Sequence, residues 1–341
     1  MGSDHRRRIF LRTLAVGIGA GALAGCGLGD AASATTAQAP AQGNRRLTFV
    51  WSPKATNNPV FGLAMAGGQD RAQELGDVDF QWVGPTDSNA EQQVHVLDDV
   101  VKKGCDGIGL SCNDADLLKP VIDMAMSKGI AVITWDSDSP GSRRITFYGQ
   151  DVVKAAQKAA EIFISSMQNN PHHTYAVLTG VRGAPNLEAR ITAFRAVADQ
   201  PASKLTWIAT DTCNDDVQKA VEAVENRMVS DPDLGGWFFA GGWPLYGDIN
   251  VMMHLLAARG KTRIVSWDTL PSELQQVQSG LVQGLIGQKY YGWGYDGVKI
   301  MHDIVVDQKQ YGPFIDSGFD VVTTPAQATA MLQKWDARNF K

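Results

Sequence analysis

Short apolar runs alternate with helical stretches along most of the chain, and this alternation is the feature that most constrains the fold. The helical stretches have apolar residues at helical spacing. Parallel strands joined by helical crossovers produce such a pattern. The predicted strands cover residues 47–51, 79–83, 107–111, 131–135, 175–179, 205–209, 236–240 and 264–267. The predicted helices cover residues 60–75, 90–103, 117–128, 152–168, 186–197, 217–228, 248–259 and 273–279.

The alternation stops at Pro171-His172-His173 and then starts again. Two tandem sets of strands and helices, similar in length, predict an α/β fold with two doubly wound parallel-sheet domains. About 300 residues follow the N-terminal segment. A chain of that length is more naturally two domains than one.

The two sets share one ending. An apolar strand runs into Trp135-Asp136 in the first set and into Trp267-Asp268 in the second. Ligands bind at the carboxyl ends of parallel strands, although an Asp there can also simply cap the next turn. Because both halves have the same ending, we predict that the two carboxylates face one shared cleft, with the two Trp rings packed beside it.

The N-terminus has the pattern of an export leader. A basic segment over residues 6–12 resembles a twin-arginine leader, and about a dozen apolar residues follow it, ending in Leu23-Ala24-Gly25-Cys26. This run is too short to span a membrane, which takes ~20 residues. The pattern predicts a signal peptide over residues 1–25 and a lipid on Cys26. Residues 26–44, rich in Ala, Thr, Gln and Gly, then form a flexible tether.

The charge balance limits the partners. Residues 1–25 hold four of the 31 basic and one of the 36 acidic residues, so the rest of the chain carries 27 basic against 35 acidic residues. This acidic balance argues against nucleic-acid and anionic-membrane partners. The best match to a dinucleotide-binding fingerprint, over residues 19–24, lies inside the leader, where no strand precedes it. We therefore expect no cofactor and no nucleic-acid partner.

Three cysteines follow Cys26. Cys105 and Cys112 bracket one predicted strand, and seven residues at ~3.3 Å each place them beyond disulfide reach. No two ligand types recur at a fixed short spacing, so we expect no metal site. Free or buried thiols are favoured over a bridge to Cys213.

The loop after the first strand resembles a known family. Residues 54–61, Lys-Ala-Thr-Asn-Asn-Pro-Val-Phe, are similar to the first binding loop of the type I periplasmic sugar-binding proteins, which include the ribose and galactose binders that feed ABC importers. The resemblance implies that Asn58 bonds a sugar hydroxyl and that Phe61 stacks on the sugar ring. The segment that begins at Asp136 resembles the family loop whose first Asp binds the ligand.

The resemblance continues through the second half and covers roughly residues 46–325. Arg190 lies in an Ala-Arg-x-x-x-Phe helix, where the family places a ligand-binding Arg. Asn214 lies in a loop that supplies an aromatic or amide contact in the family. Asp268 and Gln288 match the last Asp of the family and a Gln near its hinge.

One loop departs from the family pattern. Many relatives have a ligand-binding Asn in the loop that corresponds to residues 241–246, and none aligns in Gly-Gly-Trp-Pro-Leu-Tyr. We expect Trp243 or Tyr246 to replace it as a stacking face. Core packing is an equally open role for either ring.

The resemblance implies two domains joined by a hinge, residues 45–150 plus 289–317 and residues 151–288 plus 318–341. It implies that a monosaccharide or polyol is bound in the cleft by hinge closure and passed to an ABC permease. The protein is then expected to be monomeric, extracytoplasmic (periplasm or cell surface) and attached to the membrane only by its N-terminal lipid. Carboxylates, amides, Arg and an aromatic face suit a neutral polyhydroxyl ligand.

Three alternative functions are weighed against this one. A periplasmic sugar sensor, which presents its ligand to a receptor, needs the same closed surface as an import protein. A glycoside hydrolase would use paired carboxylates as acid and base, but the sequence has no Gly-x-Ser-x-Gly elbow or phosphate loop. A lac-repressor-like regulator would have a DNA-binding segment where the leader and tether lie. We therefore expect a binding protein and no enzyme activity.

Overall fold

The structure is a computed structural model that describes residues 45–333 and 335–336. The predicted signal peptide, Cys26 and the predicted tether lie outside the described residues. None of the described helices is both long enough and apolar enough to cross a membrane.

Twelve strands and ten α-helices make up the described chain. The strands are β1 (Leu47–Ser52), β2 (Val78–Trp82), β3 (Gly107–Leu110), β4 (Ala131–Trp135), β5 (Phe147–Gly149), β6 (Thr174–Thr179), β7 (Thr206–Thr212), β8 (Gly236–Phe239), β9 (Arg263–Trp267), β10 (Gly284–Gly287), β11 (Phe314–Asp316) and β12 (Asp320–Val322). The helices are α1 (Pro59–Leu75), α2 (Ala90–Lys103), α3 (Ala115–Ser127), α4 (Val152–Met167), α5 (Pro185–Ala198), α6 (Val217–Ser230), α7 (Met253–Ala257), α8 (Pro271–Gln278), α9 (Tyr290–Val305) and α10 (Pro325–Gln333).

The strands form two six-stranded sheets, in the orders β11-β5-β4-β3-β1-β2 and β12-β10-β9-β8-β6-β7. All pairings are parallel except that of β10 with β12. We call the first sheet with α1, α2, α3 and α9 the first lobe, and the second sheet with the remaining helices the second lobe. The chain crosses between the lobes after β5, after β10 and after β11. The predicted α/β class with two doubly wound sheets is confirmed, and the domain limits stay a prediction.

The middle strands of each sheet are buried on both faces. Every residue of β3, β8 and β10 is buried. Parallel sheets covered by helices on both sides have this pattern, because neither face meets water. The cores of the two lobes are built on these strands, so the carboxyl ends of the strands are fixed in place.

Several helices have a side-chain cap at their N-terminus. Asn58, Asn89, Asp114, Asp151 and Asp216 each accept a hydrogen bond from the backbone of the first helical turn. Such caps satisfy N–H groups that have no partner inside the helix. The α5 helix instead begins with a proline and has no side-chain cap.

The α1 and α9 helices pack closely through glycines. A Cβ atom on Gly67 would overlap the carbonyl oxygen of Tyr291, and one on Gly294 would overlap the carbonyl oxygen of Ala64. Only glycine allows the two backbones to approach this closely. This contact holds α9, which follows the crossing after β10, on the first lobe.

The prediction of one helix over residues 248–259 is wrong. A 3₁₀ turn over Ile249–Val251 is separated from α7 by Met252, whose ψ is 70°. The carboxylate of Glu225 on α6 accepts hydrogen bonds from the backbone N–H groups of His254 and Leu255. These two hydrogen bonds cap the first turn of α7. The α7 helix therefore begins as a separate helix after Met252.

Candidate functional site

A cavity lies between the lobes where the carboxyl ends of strands from both sheets meet. Its walls come from the segments that follow β1 and β4 in the first lobe and β6, β7, β8, β9 and β10 in the second. This is the position at which doubly wound folds bind ligands. The cavity is narrow in this structure, with about 20 Å³ of open volume, which is room for about one water molecule.

Both lobes supply side chains to the cavity. The residues of the first lobe are Lys54, Asn58, Val60, Phe61, Asp136 and Trp293. The remaining lining residues are Asn186, Leu187, Arg190, Asp215, Gly241, Trp243, Tyr246, Asp268 and Gln288.

Asp136, directly after β4, connects the two lobes. Its Oδ2 accepts a hydrogen bond from the Ser111 hydroxyl at 2.8 Å, and its Oδ1 accepts one from the Asn186 side chain at 3.1 Å. The Lys54 Nζ lies 3.6 Å from Oδ2 and donates to the Asn186 Oδ1 at 3.2 Å. Asn186 belongs to the second lobe, so these bonds cross the cleft.

Asp268, directly after β9, is surrounded by hydrogen-bond donors. Its Oδ1 accepts from the Gln288 Nε2 at 2.7 Å and from the Tyr290 hydroxyl at 3.0 Å. Its Oδ2 accepts from the Gly242 N–H at 3.2 Å and from the Tyr246 hydroxyl. Burial is the larger cause and the Asp268 charge the second cause of a raised pKa at both Tyr hydroxyls. Both hydroxyls therefore stay protonated and donate hydrogen bonds.

Arg190 on α5 is held in one orientation. Its Nη1 donates to the Ala240 carbonyl oxygen at 2.8 Å, and its Nη2 donates to the Gln288 Oε1 at 2.7 Å. Its guanidinium carbon lies 4.5 Å from the centre of the Trp267 ring. Such stacking is typical of Arg and adds to the hydrogen bonds.

The charge of Arg190 is balanced by the two carboxylates. Burial lowers the pKa of its guanidinium, whereas Asp136 and Asp268 raise it. Since the ordinary pKa of Arg lies above 12, the group stays charged. The Nη2 lies 3.9 Å from the Asp136 Oδ1, so the cation contacts the first lobe as well as the second.

Aromatic rings form one wall. Phe61 lies 5.7 Å from Trp135 and 6.3 Å from Trp293, and the two Trp rings lie 5.7 Å apart, measured between ring centres. Trp243 reaches the cavity from the second lobe. Rings of this kind can cover the apolar face of a small ligand.

Four buried polar atoms on lining residues have no hydrogen-bond partner within the described part of the chain. They are Arg190 Nε, Asp215 Oδ1, Trp243 Nε1 and Trp293 Nε1. A buried polar atom without a hydrogen bond lowers the stability of the folded protein, unless a water or a ligand supplies the missing partner. The cavity therefore combines open donors, one open charged acceptor and an aromatic wall, which fits a small molecule with several hydroxyl groups.

A family model described as "Periplasmic binding protein domain" matches residues 49–309. The chain belongs to this family. The match spans both lobes and the cavity between them. The resemblance to type I periplasmic sugar-binding proteins is confirmed.

Several relatives of this periplasmic binding protein are known. The xylose/arabinose-binding protein XylF of Sulfolobus acidocaldarius is 24% identical over 301 residues, which cover 84% of this chain and 73% of that protein. An ABC transporter solute-binding protein of Burkholderia graminis, solved with D-arabinose, is 28% identical with a TM-score of 0.76, covering 82% of this chain and 96% of that one. The glucose-galactose binding protein GanP of Geobacillus stearothermophilus is 26% identical with a TM-score of 0.73, covering 82% and 98%.

The structure brings most of the predicted site residues of the periplasmic binding protein together. The residues that line the cavity are Asn58, Phe61, Asp136, Arg190, Trp243, Asp268 and Gln288. Their contacts with a ligand stay predictions. The side chain of Asn58 also caps α1, because its Oδ1 accepts a hydrogen bond from the Val60 N–H at 3.2 Å.

Asn214 is the predicted residue that does not line the cavity. It is exposed, whereas the next residue, Asp215, lines the cavity. Both residues have a positive φ, 53° and 57°. This turn directs the first side chain toward solvent and the second toward the cleft.

Lys54, Asn186, Asp215 and Trp293 line the cavity and were not predicted as ligand-binding residues. Lys54 is only 4% exposed, which is unusual for a lysine. Lys54 and Asp215 lie two and three residues after the ends of β1 and β7, so the strand-end rule applied to every strand could have found them. Trp293 packs against Phe61 and Trp135 and also reaches the cavity.

The prediction for the cysteines is confirmed. Cys105, Cys112 and Cys213 are free thiols. Burial raises the pKa of Cys105 to about 11 and that of Cys213 to about 12. Thiols with such values stay protonated at neutral pH and are poor nucleophiles.

Proposed function

We propose that this protein is the extracytoplasmic substrate-binding protein of an ABC importer and binds a monosaccharide or polyol in the cavity between its lobes. The observation that carries the proposal is the cavity itself. Asp136 and Asp268 approach Arg190 from different lobes, beside an aromatic wall, and a small ligand is accommodated there when the lobes move apart to admit it. Hydroxyl groups of a sugar match these donors and acceptors, and the C–H face of the ring matches the aromatic rings.

The named ligands of the relatives agree with this chemistry. Arabinose, xylose, glucose and galactose are neutral and compact, and each has several hydroxyl groups. Charge-assisted hydrogen bonds contribute ~1.5–3 kcal/mol each, so a few of them give micromolar or tighter binding after the ordering costs.

Ligand binding in this proposal closes a hinge. The three chain crossings separate residues 45–150 plus 289–317 from residues 151–288 plus 318–341, the proposed domains. The bonds from Asp136 and Lys54 to Asn186 form only when the domains meet. A permease would then recognise the closed form, and a monomer is sufficient for this role.

We propose that the protein is exported and held at the membrane by a lipid on Cys26. Residues 1–25 supply the leader pattern, and residues 26–44 the tether. Replacement of Cys26 by Ala should move the exported protein from the membrane fraction to the soluble fraction. Equal membrane retention of both forms would contradict the anchor and leave the proposed ligand unaffected.

A screen of thermal stability tests the proposed ligand class. Full-length protein is heated with pentoses, hexoses, inositols and open-chain polyols, and with amino acids as a control class. A specific ligand at 100 times its Kd stabilises the fold by ~2.7 kcal/mol. A shift with one or a few carbohydrates supports the proposal, and a shift with amino acids alone would refute it. Recovery of the carbohydrate unchanged after incubation supports binding without turnover.

A further inference from the structure

Asp215 has one bonded and one open carboxylate oxygen. Its Oδ2 accepts a hydrogen bond from the Ser88 hydroxyl at 2.6 Å. Its Oδ1 is buried and has no hydrogen-bond partner among residues 45–333 and 335–336. Ser88 precedes α2 in the first lobe and Asp215 precedes α6 in the second, so the Ser88 bond crosses the cleft.

The backbone around Asp215 is built to hold this carboxylate at the cavity. Asn214 and Asp215 both have a positive φ, and the Asn214 N–H donates to the Gly180 carbonyl oxygen at 3.2 Å. A Cβ atom on Gly180 would overlap the Asp215 Oδ1. Positive φ at two consecutive residues other than glycine is a strained arrangement of the kind found at ligand-binding sites.

The other two carboxylates of the cavity already have donors on both oxygens. The Asp268 oxygens accept four hydrogen bonds, which fill the acceptor sites of a carboxylate. The Asp136 oxygens accept from Ser111 and Asn186 and contact two cations. The Asp215 Oδ1 is therefore the charged acceptor that is open to a ligand.

We propose that Asp215 joins ligand recognition to lobe closure. Its Oδ1 accepts a hydrogen bond from a ligand hydroxyl while its Oδ2 accepts one from Ser88, which is in reach only when the lobes meet. This inference rests on the proposed function and deepens it. The ligand must present a hydroxyl donor beside Asp215, and a sugar acid with its carboxylate at that end is repelled.

Three variants of the full chain test the proposal by calorimetric titration with D-arabinose, D-xylose, D-glucose and D-galactose. Asp215→Ala should weaken binding of the best sugar about ten-fold or more, because a charge-assisted bond is lost. Ser88→Ala, which removes only the contact across the cleft, should weaken it about three-fold. Asp216→Asn is the control, since it removes the same charge one residue later and Asn caps α6 equally well.

Small-angle X-ray scattering of the same variants, each saturated with the sugar that the wild type binds best, gives a second readout. Asp215→Ala and Ser88→Ala should both have a larger radius of gyration than the wild type, and Asp216→Asn should not. Wild-type affinity in Asp215→Ala, or an unchanged radius in both cross-cleft variants, would overturn the inference. If the wild type binds none of the four sugars, the proposed ligand class fails and this inference, which rests on it, fails with it. Sugar binding that neither Asp215→Ala nor Ser88→Ala alters would overturn the inference alone.

Discussion

Asp136 and Asp268 occupy equivalent positions in the two halves of the molecule. Each follows a buried Trp at the carboxyl end of a parallel strand, and each has a positive φ, 57° and 79°. The left-handed backbone costs ~1 kcal/mol or more at each residue and turns both carboxylates into the cleft. The shared Trp-Asp ending is thus a feature of the site as well as of the two folds.

Asp136→Asn should weaken sugar binding about ten-fold or more. The neutral amide can no longer balance Lys54 and Arg190, and its N–H₂ group opposes one of the donors that now bond the carboxylate. Calorimetric titration measures the change, with Asp116→Asn on the exposed start of α3 as the control. Equal affinities for the two variants would contradict a role for Asp136.

Arg190→Lys should also weaken binding by an order of magnitude or more. A lysine cannot bond Ala240 and Gln288 together while stacking on Trp267. The matched control is Arg195→Lys in the same helix, where the Arg pairs with Asp199 at the surface. The account requires a large difference in sugar affinity between these two variants; similar small effects would argue against it.

Gly294→Ala should destabilise the protein by ~1–3 kcal/mol, because the new methyl group overlaps the backbone of α1. Gly62→Ala is the control, since a Cβ there meets no atom within 4 Å and the position is helical. That change should be neutral or stabilise by up to ~1 kcal/mol. Urea unfolding of both variants checks the prediction, and equal midpoints would show that α1 and α9 do not pack as described.

Glu273 should make the stability depend on pH. Its side chain is fully buried. This burial, followed in size by the effect of the Asp268 charge, raises the pKa of its carboxyl well above the ordinary 4.5. The folded protein therefore keeps a proton that the unfolded chain releases above pH ~4.5. Stability is full below that pH and falls by up to ~1.4 kcal/mol per pH unit as the pH rises toward the raised pKa.

Glu273→Gln should remove this dependence. Gln can still accept the hydrogen bond from the Leu270 N–H, which now bonds the Glu273 Oε2 at 2.8 Å. Denaturant unfolding between pH 5 and pH 8 should give a flatter profile for the variant and a higher stability at pH 8. Parallel profiles for the two proteins would mean that Glu273 is ionised in the folded state.

The alternation of strands and helices was readable up to residue 279 except for the short β5 strand, and the later elements were not. The β10 strand begins and ends with glycine, and α9 contains Gly292, Gly294 and Gly297. Glycine lowers both strand and helix propensity. These elements form because they pack against β9 and α1, contacts that no local pattern in the sequence records.

The site was predictable where the side chain follows a strand directly. Asp136 and Asp268 meet that condition, and both line the cavity. Asn214 and Asp215 show the limit of the rule, because two consecutive positive φ values decide which side chain enters the cleft. The buried Lys54 shows another limit, since its burial depends on Asp136 and Asn186 from distant parts of the chain.

The location of a bound sugar tests the central claim most directly. A crystal structure of the full chain is determined with the carbohydrate that gives the largest thermal shift. The account predicts one sugar between the lobes, hydrogen-bonded to groups that include Arg190 and Asp215, with its ring against Phe61 or Trp293. A sugar bound outside this cavity, with Asp136 and Asp268 both remote from it, would contradict the account.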